Sequence, residues 1–237
     1  MKIAEGCNRR CAYCAIPAIR GRYRSRPVKS VLKEAKALIA TGCRELNIVA
    51  QDPMLYGIDF KDGKTTLTDL LWKLDRIPGD FWIRVLYSYP SEITEEFIDW
   101  LNNSKHAVKY VDVPLQHTVP EVLVKMNRKR AVTLRTTIMT GFPGETESRF
   151  RRLLADVKRM QFDPLGAFAY SPEEGTKGAK MSGRPSRRTA MNREKAIMDA
   201  AAEIWAVKAK LMLGRVYKAL VTAPGVARLE SQAPDVD

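Results

Sequence analysis

Residues 5–17 read EGCNRRCAYCAIP, and they place three cysteines, Cys7, Cys11 and Cys14, in C-x3-C-x2-C spacing. A structural zinc site is closed by four ligands, commonly in two pairs. This trio has no fourth partner nearby in sequence. Cys43 and His106 fall in helix-to-strand connections, expected on the far side of their units from the cysteine loop, and His117 lies in a distant segment. Cys43 reads more simply as a small buried residue. Zinc therefore stays the plainer alternative. The sharper reading is an iron–sulfur cluster, whose thiolate ligands come from tight runs of this kind. Three thiolates on a four-iron cube leave one iron open to a substrate or cofactor. Tyr13, one residue before the third cysteine, puts a ring where it shields a cluster and packs beside a nucleotide.

Outward from this loop the chain alternates between strand-like and helix-like stretches. KIAEG, ELNIVA, FWIRVLYSYP, VKYVDVPLQ, TLRTTIMTGFPG and PLGAFAYS are short, apolar and partly β-branched. Between most of them lie segments with helical spacing, such as SVLKEAKALIATG, TLTDLLWKLDRIPG, TEEFIDWLN and TESRFRRLLADVKRM. Alternation of this sort predicts a parallel sheet with right-handed crossovers. About six such units fall short of a closed eightfold barrel, so the expected fold is α/β, an open partial (β/α)6 barrel. Chemistry in such sheets sits at the C-terminal strand edge. The cysteine loop follows the first strand and lies on that edge. So do AQD at 50–52, PLQH at 114–117, GFPGE at 141–145 and YSPEEGT at 170–176.

After about residue 176 the alternation stops. A helix is predicted from Ser186 to Leu213 with Ile197, Ala201, Ile204 and Leu211 on one stripe, then a short β segment. The expected division is a core over 1–185, a connecting helix over 186–213 and a small β module over 214–237. The chain is almost continuous from the helix near Arg130 to the strand near Thr133, whereas a parallel crossover needs a dozen residues or more. That junction reads as an unusually short crossover or as an absent segment.

The 237 residues carry a net charge of +13, which favours a polyanionic neighbourhood such as RNA or a ribosomal particle. Arg20, Arg22, Arg24 and Arg26 alternate with Gly21, Tyr23 and Ser25, and Arg184, Arg187, Arg188 and Arg193 open the last helix. Both groups suit phosphate contact and equally suit a solvated surface. No run approaches the length of a membrane span, and with Met1-Lys2-Ile3 leading straight to the cysteines no signal peptide is expected. The expectation is a cytoplasmic protein with no membrane contact, in a reducing compartment where clustered cysteines serve as ligands.

The cysteine motif with its aromatic neighbour, following the first strand of a partial barrel, resembles the radical S-adenosylmethionine (SAM) enzymes. The blocks EGCNRRCAYCAIPAIRGRYRSRP, IVAQDPMLYGIDF, VPLQHTVPEVLVKMNR, LRTTIMTGFPGETE and LGAFAYSPEEGT more narrowly resemble the methylthiotransferases among them. AQD, PLQH and YSPEEGT are closer to the branch that modifies an aspartate β-carbon of a small-subunit ribosomal protein than to the branch acting on isopentenylated adenosine in transfer RNA. The transfer-RNA branch stays as the nearest alternative, and a non-catalytic, metal-stabilised RNA-binding module as the most distant.

The resemblance implies a [4Fe–4S] cluster on Cys7, Cys11 and Cys14 whose open iron chelates SAM, and one-electron cleavage of SAM. It implies hydrogen abstraction from the aspartate, sulfur from a second cluster, and methyl from a second SAM. It places Tyr13, Arg135, Gly141, Gly144, Glu145 and Tyr170 at SAM, and Gln51, Asp52, Gln116 and His117 over the opening. Glycines at 141 and 144 let backbone approach a nucleotide; the alternative is a plain strand-to-helix turn with Glu145 serving the helix N-terminus. Arg135 suits the SAM carboxylate or a buried ion pair. The implied partners are a ribosomal protein or ribosomal particle and a reductant such as flavodoxin or ferredoxin. The second cluster belongs to an N-terminal domain expected to be missing from this chain, and residues 214–237 to a truncated TRAM-like β module.

Overall fold

The computed structural model describes residues 1–126 and 135–233, the side chains of Pro90, Pro120, Arg135 and Asp163 excepted. The crossover question before Thr133 lies outside the described residues. The chain divides into two compact units. The first comprises Met1–Asn8, Ile16–Asp112 and Ala219–Ser231; the second comprises Arg9–Ala15, Val113–Lys218 and Gln232–Asp237.

In the first unit, β1 (Ala4–Glu5) pairs antiparallel with β2 (Arg24–Ser25), while β3 (Glu45–Ile48) and β4 (Trp82–Val85) pair in parallel, Glu45 opposite Trp82 and Ile48 opposite Val85. Parallel bridges Lys2–Val49 and Ile83–Ala107 extend the order on both sides. Four helices accompany these strands: α1 (Ile16–Arg20), α2 (Val28–Ala40), α3 (Leu67–Asp75) and α4 (Glu95–Asn103). Their ends are written locally. Thr66 and Asp69 form a reciprocal capping box before α3, and the Thr94 hydroxyl accepts from the Phe97 amide before α4, satisfying N–H groups that no helical carbonyl reaches. Gly42, with φ of +90°, ends the turn after α2 in a conformation that penalises side chains. Ile3, Leu46, Ile48, Ile83 and Val85 from the strands and Leu70, Leu71, Leu74, Phe97 and Trp100 from the helices are all buried. The hairpin of β7 (Ala219–Ala223) and β8 (Val226–Leu229) belongs to this unit.

In the second unit, β5 (Arg135–Thr140) and β6 (Asp163–Ala169) run parallel, and a parallel bridge joins Gln116 to Ile138. The helices are α5 (Pro120–Lys125), α6 (Glu147–Met160) and α7 (Arg187–Met212). Thr146 caps α6 and Ser186 caps α7. Helix α7 has 26 residues, about 39 Å at 1.5 Å per residue. It buries Ala190, Arg193, Ile197 and Ala200, and leaves Val207 and Leu211 exposed; of the expected apolar stripe Ile197 is buried, Ala201 and Ile204 are half-buried and Leu211 is exposed. A cluster of Ala12, Val119, Val122, Met126, Met139, Phe142 and Tyr170 forms the core near the strand ends.

Two expectations need correction. The strand VKYVDVPLQ is present, among the described residues, only as isolated bridge residues at Asp112 and Gln116, with Ala107 bridging just before it; Pro114 offers no N–H to a ladder. The arginine–aromatic stretch after the cysteines is not a solvated loop throughout. Tyr23 is buried, and Arg26 is held by the Lys2 carbonyl and the Glu34 carboxylate, each at 2.6 Å. No helix among the described residues is long and apolar enough to cross a membrane.

Candidate active site

The cysteine loop is fixed by backbone more than by side chains. Its entry, Gly6, has φ of +77°, and a Cβ there would stand 2.3 Å from the Arg22 carbonyl oxygen; only glycine passes that close. The Cys7 amide donates to the Gly21 carbonyl at 3.1 Å. Further on, the Cys14 amide closes a turn on the Cys11 carbonyl at 3.1 Å. Ala12, between them, donates to the Met126 carbonyl at 2.9 Å and accepts from the Gly178 amide at 2.6 Å. Tyr13 stands edge-on to Phe142, ring centroids 6.4 Å apart, which holds its ring against the second unit's core.

All four cysteines are thiols, Cys7 buried and the others half-buried. Among the described residues no three Cys, His, Asp or Glu side chains converge as ligands of one metal ion. A mononuclear site needs that convergence. A cube does not, because each thiolate binds a different iron. A donor set of three thiols on a backbone-fixed loop fits a four-iron cluster.

In the first unit, Gln51 and Asp52 follow β3 at its C-terminal end. Asp52 is buried, and the Gln51 Oε1 is sealed from solvent with no hydrogen-bond partner. Beside them is a residue that sequence reasoning assigned only to a basic stretch. Burial, with the Asp52 charge next and Cys7 among the smaller contributors, pushes the Tyr23 phenol far above its ordinary range. Its hydroxyl has no hydrogen-bond partner. The available signal was the alternation Arg22–Tyr23–Arg24, one buried residue between two exposed ones on the way into β2.

In the second unit, the expected site residues collect around one carboxylate. Glu145 is fully buried; its Oε1 accepts from the Gly141 amide at 2.9 Å and from Arg193 Nη1 at 2.7 Å. Arg193 also donates to the Glu145 carbonyl at 2.9 Å and reaches Glu147 at 3.1 Å, with its guanidinium 5.1 Å from the Phe150 ring centre. Arg193 is therefore a buried structural cation and no part of an exposed phosphate-binding group, unlike Arg184, Arg187 and Arg188, which are exposed. His117 is fully buried. Its Nδ1 accepts from the Val119 amide at 3.0 Å, and Nε2 stands 3.3 Å from Glu145 Oε2. An accepting Nδ1 leaves the proton on Nε2, toward the carboxylate.

Gly141 (φ of +78°) has no room for a side chain: a Cβ would meet Ala190 Cβ on α7 at 2.3 Å. Gly144 (φ of +90°) lies against the Lys125 side chain. Gln116 adopts φ of +72°, which costs a non-glycine residue on the order of 1–3 kcal/mol. Tyr170 directly follows β6, its amide donating to the Thr140 carbonyl at 2.8 Å, and burial pushes its phenol up. A cavity of about 700 Å³ opens beside Gly141, Tyr170, Ser171, Arg184, Arg187 and Glu194, a volume suited to a cofactor-sized ligand. Arg135 is the first residue of β5, paired with Asp163, at the opposite end of that strand from Gly141. The structure thus brings Gln116, His117, Gly141 and Glu145 together, and leaves Arg135 at the other end of its strand.

Residues 1–157 match the model of the Radical SAM superfamily. The chain is 40% identical, over its whole length, to the ribosomal protein uS12 methylthiotransferase RimO of Carboxydothermus hydrogenoformans, covering 59% of that protein. It is 41% identical to the protein of that name from Syntrophus aciditrophicus, covering 57% of it. The chain therefore spans somewhat over half the length of these relatives. The first match extends over 260 aligned positions, so that relative has internal residues without counterparts here. Among solved structures, TsrM, a radical SAM methyltransferase from Kitasatospora setae, aligns with a TM-score of 0.56 at 19% identity, over 87% of this chain and 52% of that one. Coproporphyrinogen III oxidase (HemN) of Escherichia coli aligns with a TM-score of 0.56 at 16% identity, over 87% and 51%. At such identities the likeness concerns the fold, the partial barrel expected from the alternation of strands and helices.

Proposed function

The chain belongs to the radical SAM superfamily, and from that premise we propose that it is the catalytic core of a methylthiotransferase acting on an aspartate of ribosomal protein uS12. The observation that carries the reading is the loop of three thiols after the first strand, in a chain 40% identical throughout to a RimO protein. Cys7, Cys11 and Cys14 would hold a [4Fe–4S] cluster, which when bound supplies the electron for reductive cleavage of SAM.

The chain's own residues do the positioning. The hydrogen bonds of Ala12 to Met126 and Gly178 fix the loop between its second and third cysteines. Tyr13 and Phe142 form an aromatic wall beside it. The Gly141–Glu145 turn is held from within by Glu145, and its buried Gly141 borders the cavity in which a nucleotide would lie. Glu145 and His117 act as positioning groups in this reading, since Glu145 faces His117 on one side and Arg193 on the other. Gln51, Asp52 and Gln116 are left to meet substrate. Partners in the reading are uS12, a flavodoxin- or ferredoxin-type reductant, and RNA near the exposed arginines of α7. Residues 214–237 serve as the start of a substrate-binding β module, and a second cluster belongs to a separate domain.

The test is anaerobic iron–sulfur reconstitution followed by dithionite, SAM and an assay for 5′-deoxyadenosine. The expected result is four-iron absorbance and 5′-deoxyadenosine formation, both lost in Cys11→Ala. Stoichiometric zinc with SAM left intact would overturn the reading. A methylthiolated adenosine in transfer RNA, with uS12 untouched, would move the substrate to the other branch.

A further inference from the structure

Three non-glycine residues have positive φ among the described ones: Tyr87, Gln116 and Gln161. Gln161 is the left-handed stop of α6, an ordinary use of that conformation. Tyr87 is exposed, and its amide is held by the Asp112 carboxylate at 2.8 Å. Gln116 differs from both. It is an isolated bridge residue, paired in parallel with Ile138 of β5, and 7% exposed. Its backbone is clamped on both sides, the amide donating to the Thr137 carbonyl and the carbonyl accepting from the Met139 amide, each at 2.8 Å. These two bonds hold the strained φ in place. In the side chain, by contrast, Oε1 is buried without a hydrogen-bond partner. Glycine would serve the backbone better, and a buried, unsatisfied amide oxygen is unfavourable. Strain and an orphaned polar atom at one residue on a strand's C-terminal end mark a group held ready for a ligand.

We propose that Gln116 is the specificity-determining residue that reads the acceptor aspartate, hydrogen-bonding its main-chain N–H and its carboxylate through one primary amide. The inference rests on the uS12 reading above and deepens it. A glutamine amide presents an acceptor and a donor side by side. An aspartyl residue presents the complement, a main-chain N–H donor and a carboxylate acceptor. The neutral amide receives that anion without opposing it. The buried carboxylate of Glu145, beside the neighbouring His117, is balanced by the Arg193 guanidinium at 2.7 Å. The same amide edge also fits the N6 and N7 atoms of adenine, which is the rival outcome.

The test uses the cluster-reconstituted full chain, with purified uS12 and an adenosine-containing RNA oligonucleotide as probes, and SAM affinity measured in parallel. Gln116→Glu is expected to weaken uS12 binding at least tenfold, with SAM affinity within twofold of the parent. Gln116→Gly is expected to lose uS12 binding to the same degree while Tm rises by about 2–4 °C as the strain relaxes. A Gln116→Gly protein that melts lower and still binds uS12 would make the residue merely structural and overturn the proposal. Loss of SAM affinity with uS12 binding intact would turn the amide toward the cofactor instead. Preference of the parent for the oligonucleotide would make adenine the group read, against the proposal. A parent chain that ignores uS12 sinks the methylthiolation reading and this inference together; parent binding that Gln116→Glu retains sinks this inference alone.

Discussion

Each unit buries a glutamate against arginine, and the two centres are put to different uses. In the first unit, Glu45 opens β3 and is shared by two guanidiniums. Arg84 Nε reaches it at 2.7 Å, Arg228 meets its other oxygen, and Arg84 also donates to the Glu230 carbonyl at 2.9 Å and lies 4.5 Å from the Tyr110 ring centre. This centre fastens the C-terminal hairpin to the start of a strand. In the second unit, Glu145 has a single arginine, and its remaining partners are a backbone amide and a histidine. That centre sits where β5 ends and organises the turn on which the proposed site depends. The lesson is that a buried ion pair says little by itself. Its place on the sheet, at the beginning or the end of a strand, decides whether it closes a fold or aims a site.

Removing one cation should expose the difference. Arg193→Ala leaves Glu145 buried without a countercharge and is expected to cost about 3–5 kcal/mol in urea unfolding, with loss of 5′-deoxyadenosine formation. Arg84→Ala leaves Glu45 still paired with Arg228, so about 2–3 kcal/mol is expected; a cost equal to that of Arg193→Ala would break the contrast. Gly141→Ala is expected to cost about 2 kcal/mol from overpacking against Ala190, and Ala190→Gly in the same chain should recover part of it, the positive φ accounting for the remainder. The smallest effect belongs to a pair outside both centres. Lys195 and Asp199, an exposed i,i+4 pair at 2.7 Å, should contribute about 0.3–0.5 kcal/mol, and 1 M salt should abolish it.

The sequence made the elements legible and most of the partnerships illegible. Thr94, Ser186 and the glycine after α2 act locally, within three or four residues, and could be read directly as caps and stops. The strand ends carrying Gln116, Gly141 and Tyr170 followed from alternation alone. Arg193 could not be placed, because an arginine near a helix start looks the same whether its partner is water or a carboxylate 48 positions away. Tyr23 was hidden for a related reason: the groups that act on its phenol, Asp52, Asp59 and Tyr56, come from a later loop, while its immediate neighbours are charged. Gln116 was legible as a site residue from its motif, and its strain was not, since φ leaves no trace in composition. Pairings across long separations are set by packing, and no single-residue preference encodes them.

The contact between Gly141 and Ala190 also sets a boundary for anyone wishing to re-engineer this protein. A turn and a helix that meet with no space for one methyl group behave as a single inherited part. A mutant library that diversifies α7 to alter recognition will tolerate variety along its exposed second half, where Val207 and Leu211 face solvent. Position 190 admits nothing larger than alanine, and every surviving clone should carry the small pair intact.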